Sequence, residues 1–281
     1  MAAHQDEFPV RRMCRVLGVS SSGYYAWRSR PASLRQGEAA ILLTEIRRVH
    51  EHSRQTYGSP RIHAELRAQG RRCNHKRIER LMRQHCIRAR QVRRFHRTTD
   101  SLASLPIAPN RLNQEFSVGA PNQVWTADIT YLDTAEGWLY LATVLDLYSR
   151  RVVGWAMADH METSLVREAL QMALTQRRPA AGLLHHSDRG RQYASVEYQA
   201  MLAAHAVECS MSRRGNCYDN AVHESFFGTL KSECADRRFA NRTAARQCVF
   251  EYIEVWYNRQ RRHSTLGYLS PAQFEQVRVV S

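Results

Sequence analysis

The order of strand-like and helix-like segments after residue 123 most strongly limits the fold of this chain. Three β-rich runs follow one another with short connections: "QVWTADITYLDT", "GWLYLATVLDLYS" and "RRVVGWAMAD". An amphipathic helix (163–178), a short strand (182–188), a helix (195–206), a strand (207–212) and a further helix come next. Because short connections make the first three strands antiparallel neighbours, this order predicts a mixed five-stranded sheet with helices on its faces.

The segment before this α/β core is helical and strongly basic. Residues 1–100 contain 22 Lys/Arg against 8 Asp/Glu, whereas residues 101–281 contain 19 against 18. Two helix pairs, at 9–30 and 59–87, each have a Gly-containing turn, which is typical of helix-turn-helix DNA-binding modules. Helical hairpins that serve only for packing would give the same pattern. The predicted DNA contacts of the second pair are its outward-facing cations, Lys76, Arg77 and Arg80.

The sequence divides into four predicted regions. These are an all-α helix-turn-helix region (1–87), a basic linker (88–121), the α/β core (122–235) and a C-terminal helical extension (236–281). The extension contains "NRQRRH", in which Arg261 and Arg262 form either a phosphate-binding patch or only a basic helix end. The tryptophans of the core and extension are expected to be buried rather than exposed for base stacking: Trp125, Trp138, Trp155 and Trp256.

Cysteine content and hydropathy indicate the compartment. Seven cysteines are an odd number, and no C-x-x-C pair occurs. This pattern argues against a disulfide framework or a zinc finger, and it fits a reducing compartment. No apolar run reaches the roughly 18 residues that a membrane helix needs, and the N-terminus lacks an apolar signal core. We therefore expect a bacterial cytoplasmic protein with no membrane partner, associated with the nucleoid.

Three carboxylates occupy positions where a sheet presents side chains to a ligand. Asp128 lies inside the first strand, Asp188 ends the fourth strand, and Glu224 lies early in the last core helix. Each has an ordinary alternative, because Asp128 could face solvent, Asp188 could cap a turn and Glu224 could complement the helix dipole. Together, without a suitable His/Cys set, they favour Mg²⁺ or Mn²⁺. Two such ions could activate an attacking oxygen and stabilise a leaving oxygen at phosphorus.

The helix that carries Glu224 has two distinct faces. Val222, Phe226 and Leu230 point roughly opposite to Glu224, whereas Lys231 returns to within about 20° of it. One face can therefore pack on the sheet while the other presents a carboxylate and an ammonium group. The ammonium group of Lys231 could hold a DNA phosphate near the metal ions.

Long stretches of the chain resemble a known family. The core segments are "VWTADITYL", "VLDLYSRRVVGWA", "HSDRGRQYAS", "SMSRRGNCYDNAVHESFFGTLKSE" and "YNRQRRHSTLGYLSP", and the N-terminal ones are "MCRVLGVSSSGYYAW" and "YGSPRIHAEL". They resemble the second-frame product of the insertion-sequence family conventionally numbered three, whose core is a retroviral-integrase-type DDE transposase. The 35 residues between Asp188 and Glu224 match that family's D-35-E spacing.

The resemblance implies an RNase H-like core in which Asp128, Asp188 and Glu224 are catalytic metal ligands and Lys231 contacts DNA. It implies cleavage at transposon ends, which frees a 3′-OH, followed by attack of that 3′-OH on another DNA strand. The implied partners are double-stranded DNA (the terminal inverted repeats and the target), further copies of the chain on DNA, and an upstream-frame product or fusion. The alternatives are a hydrolytic nuclease on the same fold and a non-catalytic DNA-binding regulator.

Overall fold

The fold combines a helical N-terminal part with an α/β core and a helical extension. The computed structural model describes residues 1–31, 33–90, 107–213, 221–235 and 238–279. Much of the predicted linker, residues 91–106, lies outside the described residues. Among the helices that are described, none combines the length and the apolar character needed to span a bilayer.

A mixed five-stranded sheet forms the centre of the core, as the element order predicts. Its strands are β1 (Val124–Thr134), β2 (Gly137–Asp146), β3 (Val152–Ala158), β4 (Leu184–Ser187) and β5 (Glu208–Met211). The spatial order is β3-β2-β1-β4-β5. β1 pairs antiparallel with β2, and β2 with β3, whereas β4 runs parallel to both β1 and β5. β1 is therefore the central strand and the junction between the antiparallel and parallel halves.

Helices precede, flank and follow the sheet. They are α1 (Val10–Val16), α2 (Ser21–Ser29), α3 (Leu34–His52), α4 (Ser59–Ala68), α5 (His75–Gln84), α6 (Thr163–Arg177), α7 (Val196–Ala204), α8 (Ala221–Glu233), α9 (Arg242–Phe250), which continues as a π-helical segment (Glu251–Tyr257), and α10 (Pro271–Val279). One helix of each predicted pair begins with a side-chain cap. The Ser20 side chain accepts a hydrogen bond from the backbone amide of Gly23, and the Asn74 side chain accepts one from the backbone amide of Lys76. The two predicted helix pairs are thus α1–α2 and α4–α5.

The two faces of the sheet bury different sets of helices. Trp125 and Val144 lie on one face, in a core cluster with Leu170 of α6. On that face Gly154 of β3 is required, since a Cβ there would overlap the backbone carbonyl of Ala169 on α6. The opposite face contributes leucines of β2 to a second cluster with α8, α9 and the π-helical segment. Alternation of side chains along each strand produces this two-sided burial.

The N-terminal helices share this second cluster with the C-terminal extension. The Tyr57 ring, after α3, lies 5.9 Å from the Trp256 ring. The backbone amide of Arg262 donates to the Tyr57 hydroxyl at 2.6 Å, and Arg61 Nε donates to the Arg262 carbonyl at 3.1 Å. Helices α3 and α4 are therefore packed against the C-terminal extension.

The expectation that four tryptophans are buried is wrong for one of them. Trp125 and Trp256 are buried. Trp155 is half-buried, and its indole N–H donates a hydrogen bond to Glu254. Trp138, however, is 48% exposed. It is the second residue of β2 and pairs with Asp133, where the exposed end of the β1–β2 hairpin begins.

Two cysteines depart from the expected thiol state. Cys234, directly after α8, is bonded to Cys248 of α9, with the two Cα atoms 6.4 Å apart. Among the described residues, Cys14, Cys73 and Cys209 are free thiols, as is the exposed Cys86. The sequence argues against a disulfide framework, and it does not reveal this single bond because it does not show that α9 returns to the end of α8.

Candidate active site

The register of β1 and β4 brings two of the three predicted carboxylates to neighbouring positions. Ala127 of β1 is the partner of Ser187 of β4 in a parallel pair. Asp128 comes next on β1 and Asp188 directly follows β4, and adjacent strands lie only about 4.8 Å apart. Both side chains are half-buried at the point where β4 ends.

Each of these carboxylates accepts one backbone hydrogen bond and retains an oxygen for a ligand. Asp128 Oδ1 accepts the amide of Ile129 at 2.8 Å, and Asp188 Oδ1 accepts that of Gly190 at 2.8 Å. Within the described chain, neither Oδ2 accepts a hydrogen bond. Burial, followed by the negative charge of Asp188, raises the pKa of Asp128 well above its usual range, and burial also raises the pKa of Asp188. Two crowded carboxylates with free oxygens fit a hard divalent cation.

The close approach of the chain after Asp188 depends on glycine. A Cβ on Gly190 would lie 2.9 Å from Asp188 Oδ1 and 2.9 Å from Gln192 Oε1. Only a residue without a side chain lets the amide of Gly190 reach the carboxylate without displacing it. This turn therefore sets the direction of the Asp188 side chain.

A buried histidine fixes the beginning of α8 on the sheet. His223 Nδ1 lies 2.8 Å from the Thr126 hydroxyl of β1, and Nε2 lies 2.9 Å from the Thr143 hydroxyl of β2. Burial lowers the pKa of His223 to about 3, so the ring is neutral and bridges the two hydroxyls. Thr143 is the strand partner of Asp128, and His223 directly precedes Glu224. No site role for His223 is predicted from the sequence. The signal for it is a pair of threonines at sheet-face positions opposite a helical histidine.

Glu224 lies at the rim of the carboxylate pair rather than within it. Its side chain is exposed in the first turn of α8, and its negative charge is one of the influences that raise the pKa of Asp128. In the described part of the chain, no three or more His, Cys, Asp or Glu side chains stand together as a metal-binding group. The structure therefore brings Asp128 and Asp188 to neighbouring positions and places Glu224 nearby.

Lys231 lies on the same face of α8 as Glu224, as the helix geometry predicts. Phe226 and Leu230 are buried on the opposite face. The Lys231 ammonium lies 4.7 Å from the centroid of the Tyr131 ring and is half-buried. Burial lowers the pKa of Lys231, and the charge of Asp128 opposes that effect. The ammonium group is thus within electrostatic range of the carboxylate pair.

The end of α8 is held by a buried ion pair that involves one of the predicted DNA contacts. Arg261 donates to both carboxylate oxygens of Glu233, with Nη2–Oε1 at 2.9 Å. Tyr252 and Trp256 donate to the same carboxylate at 3.1 and 3.0 Å. Although burial disfavours the charged guanidinium, the pair with Glu233 outweighs it and raises the pKa of Arg261.

The structure is at odds with the phosphate patch predicted for Arg261 and Arg262. Arg261 is 5% exposed and Arg262 is 8% exposed. Arg262 donates to Glu65 of α4 and to the carbonyl of Tyr268. Both guanidinium groups are therefore committed to protein contacts, and the basic run "NRQRRH" joins the extension to α8 and α4.

The cations of α5 that are predicted to contact DNA are more accessible than Arg261 and Arg262. Lys76 and Arg80 are exposed, and Arg77 is half-buried with its guanidinium 3.4 Å from Glu38 of α3. All three line a shallow depression together with Arg35, Asn74 and Arg83. This concave basic surface lies on the second helix of the α4–α5 pair.

The structure combines a mixed sheet, an acidic residue inside β1, a second directly after β4, a third on α8 and a basic helical region before the sheet. This is the arrangement of an integrase-type polynucleotidyl transferase. Family comparison agrees, since an "Integrase core domain" model matches residues 119–217 and a second with that description matches residues 205–271. An "HTH-like domain" model matches residues 37–95, which cover most of α3 and all of α4 and α5. Integrase cores of this kind depend on a metal ion and act on DNA.

Curated relatives identify the family. The chain is 47% identical over 279 residues to the transposase InsF for insertion sequence IS3A of Escherichia coli (strain K12), covering 97% of this chain and 96% of the relative. It is 49% identical over 265 residues to the insertion element IS600 uncharacterized 31 kDa protein of Shigella sonnei, covering 94% and 97%. The chain belongs to the IS3 family of insertion-sequence transposases. It is a DNA transposase, for which the family implies a DDE mechanism.

Two of the solved structures that match are viral integrase chains. One is a chain of the simian T-cell lymphotropic virus intasome in complex with PP2A regulatory subunit B56 gamma, with 15% identity, a TM-score of 0.48, and coverage of 82% of this chain and 74% of that one. Another is the HTLV-2 integrase catalytic core domain in complex with magnesium, with 15% identity, a TM-score of 0.42, and coverage of 56% and 97%.

Proposed function

We propose that Asp128, Asp188 and Glu224 are the catalytic residues and hold two divalent ions, Mg²⁺ or Mn²⁺. The observation that carries the proposal is the pair of neighbouring carboxylates, each with one oxygen that accepts no hydrogen bond within the described chain. Glu224 completes the set when its exposed side chain turns toward the pair. When bound, the ions would polarise a phosphodiester and lower the pKa of the attacking hydroxyl group.

The side chains around the carboxylates orient the reacting groups. Neutral His223 keeps the start of α8 against β1 and β2, so that Glu224 has only a short distance to move. Lys231 offers a positive charge to the phosphate that lies over the pair. Water first attacks the phosphodiester at the transposon end and frees a 3′-OH, and this hydroxyl then attacks the target strand. The same site serves both attacks because both replace one oxygen at phosphorus by another.

The proposed DNA substrates are the terminal inverted repeats and the target, bound by more than one copy of the chain in the cytoplasm, at the nucleoid. An upstream-frame product, separate or fused, is a further proposed partner. Lys76, Arg77 and Arg80 are proposed to contact backbone phosphates of the terminal DNA. Lys76→Ala and Arg80→Ala should each reduce the slope of log K against log [salt] by about 0.9. Arg167→Ala on α6 is the matched control, and an equal change there would contradict the assignment.

A strand-transfer assay tests the catalytic proposal. The full chain is incubated with Mg²⁺, a labelled pre-cut terminal DNA and a target plasmid. We expect joined product from the wild type, loss of joining by at least about 100-fold in Asp188→Asn, and unchanged joining in Asp159→Asn, an exposed aspartate after β3. Normal joining by Asp188→Asn would remove it from the ligand set. Nicking without joining would favour the nuclease, and binding without either reaction would favour the regulator.

A further inference from the structure

An exposed aromatic pair stands at the end of the β1–β2 hairpin, close to the proposed active site. The rings of Tyr131 and Trp138 meet edge to face, with centroids 4.9 Å apart and planes at 74°. Trp138 is 48% exposed although it belongs to a strand of the central sheet. A tryptophan that served only to stabilise the hairpin would gain more by facing the core, where Trp125 is fully buried.

Lys231 connects this aromatic pair to the carboxylates. Its ammonium group lies 4.7 Å from the Tyr131 centroid, in cation–π contact. Tyr131 is three residues beyond Asp128 on β1, a distance of about 10 Å along the strand. The pairing of β1 with β4 extends only from Val124 to Ala127. Beyond Ala127 the edge of β1 is no longer covered by β4, and Lys231 of α8 reaches Tyr131 there.

The charge around the pair suits a nucleic acid strand. The nearest acidic side chain in the strand register, Asp133, is the partner of Trp138 and is neutralised by Arg238 at 3.2 Å. Lys231 therefore presents positive charge beside an apolar ring surface, where the one acidic strand partner is already paired with Arg238. Aromatic rings flanked by cations are how proteins bind unpaired nucleotides, since the ring stacks on a base and the cations contact phosphates.

We propose that Trp138, supported by Tyr131 and Lys231, stacks an unpaired nucleobase of the DNA strand whose phosphate lies over Asp128 and Asp188. This inference rests on the proposed function, because the stacked nucleotide belongs to the DNA strand on which the carboxylates are proposed to act. The strand leaves the carboxylates, passes around the uncovered edge of β1 beside Lys231, and reaches Trp138 a few nucleotides later. A base that stacks here is held out of the duplex, which keeps the terminal nucleotides separated during the reaction.

Fluorescence of 2-aminopurine tests the stacking site without requiring catalysis. A duplex with the element's terminal sequence carries the probe at each of its last three positions in turn, and Ca²⁺ replaces Mg²⁺ so that the DNA stays intact. With the wild-type chain, we expect quenching at one of these positions. Trp138→Ala should abolish that quenching and weaken binding of DNA with unpaired ends on the order of 10-fold, with fully paired DNA unaffected. Trp138→Phe should retain most of the quenching.

Phe250→Ala provides the matched control, because Phe250 is an aromatic residue that is 53% exposed but lies on α9, outside the predicted helix-turn-helix pairs. Unchanged quenching in Trp138→Ala at every probe position would overturn the stacking site. Equal loss in Phe250→Ala would overturn it as well. The readout is independent of the catalytic proposal: if Asp188→Asn joined DNA normally, quenching that depends on Trp138 would still establish the base site. Conversely, loss of joining in Asp188→Asn with no effect of Trp138→Ala would reject the base site alone.

Discussion

Replacement of Arg261 by methionine should be among the most damaging single changes outside the carboxylates. The guanidinium group makes two contacts at 3.0 Å and one at 2.9 Å with Glu233, whose side chain is almost fully buried. Arg261→Met leaves that carboxylate with only the neutral donors of Tyr252 and Trp256 within the described chain. Loss of one partner of a buried ion pair costs about 3–5 kcal/mol. For a chain of this length, the melting temperature should fall by on the order of 10 °C.

Urea unfolding followed by circular dichroism measures this cost. Arg71→Met is the matched control, because Arg71 contacts Glu45 at a similar distance, 3.1 Å, but in a partly exposed pair. The control should lose no more than about 1 kcal/mol. The double variant Glu233→Gln/Arg261→Met removes both charges and should be less destabilised than the sum of the two single variants. A cost for Arg261→Met no greater than that of Arg71→Met, or strict additivity in the double variant, would refute the role assigned to the pair.

Three further predictions concern acid stability, the turn after Asp188 and the disulfide. Burial, and then His186, lowers the pKa of His185 to about 3. The native state therefore cannot take up the proton that the unfolded state binds below about pH 6.5, and stability falls as the pH drops from about 6.5 towards 3. His185→Gln should flatten this loss by up to about 1.4 kcal/mol per pH unit in urea unfolding at several pH values. Gly190→Ala should reduce strand transfer about 10-fold or more while changing the unfolding midpoint little, because the new methyl group displaces the Asp188 carboxylate; unchanged joining would contradict this. A reductant should destabilise the wild type by about 3 kcal/mol, since the Cys234–Cys248 bond closes a short loop with a sequence separation of 14. Cys248→Ser should not respond to the reductant, and a similar response in both proteins would contradict the assignment.

The arrangement of the sheet was predictable because its signals are local. Runs rich in β-branched and aromatic residues mark β1 to β3, short connections make them antiparallel, and helices between the later strands require parallel crossovers. The same reasoning placed Asp128 and Asp188 at strand positions that prove to be neighbours. Their contact follows from backbone register, which element order almost determines.

The remaining features depend on contacts between segments far apart in the sequence. Arg261 in "NRQRRH" has the appearance of a surface cation, and its burial depends on Glu233, 28 residues earlier. Trp138 belongs to a strand whose other residues are mostly buried, and its exposure depends on where the covering helices stop. Whether Glu224 touches the other two carboxylates depends on the position of α8, which helical periodicity does not specify.

The packing of Tyr57 against Trp256 has a consequence for how related elements can diversify. Recombination between two insertion sequences could bring a new end-binding region to an existing catalytic core only if residues 54–65 stay matched to residues 251–262. A hybrid that joins an N-terminal part from one element to the remainder of another would pair mismatched surfaces at Arg61, Glu65 and Arg262. If α5 contacts the element ends as proposed, changes in end specificity are expected to accumulate on its outer surface, where substitutions leave this shared core intact.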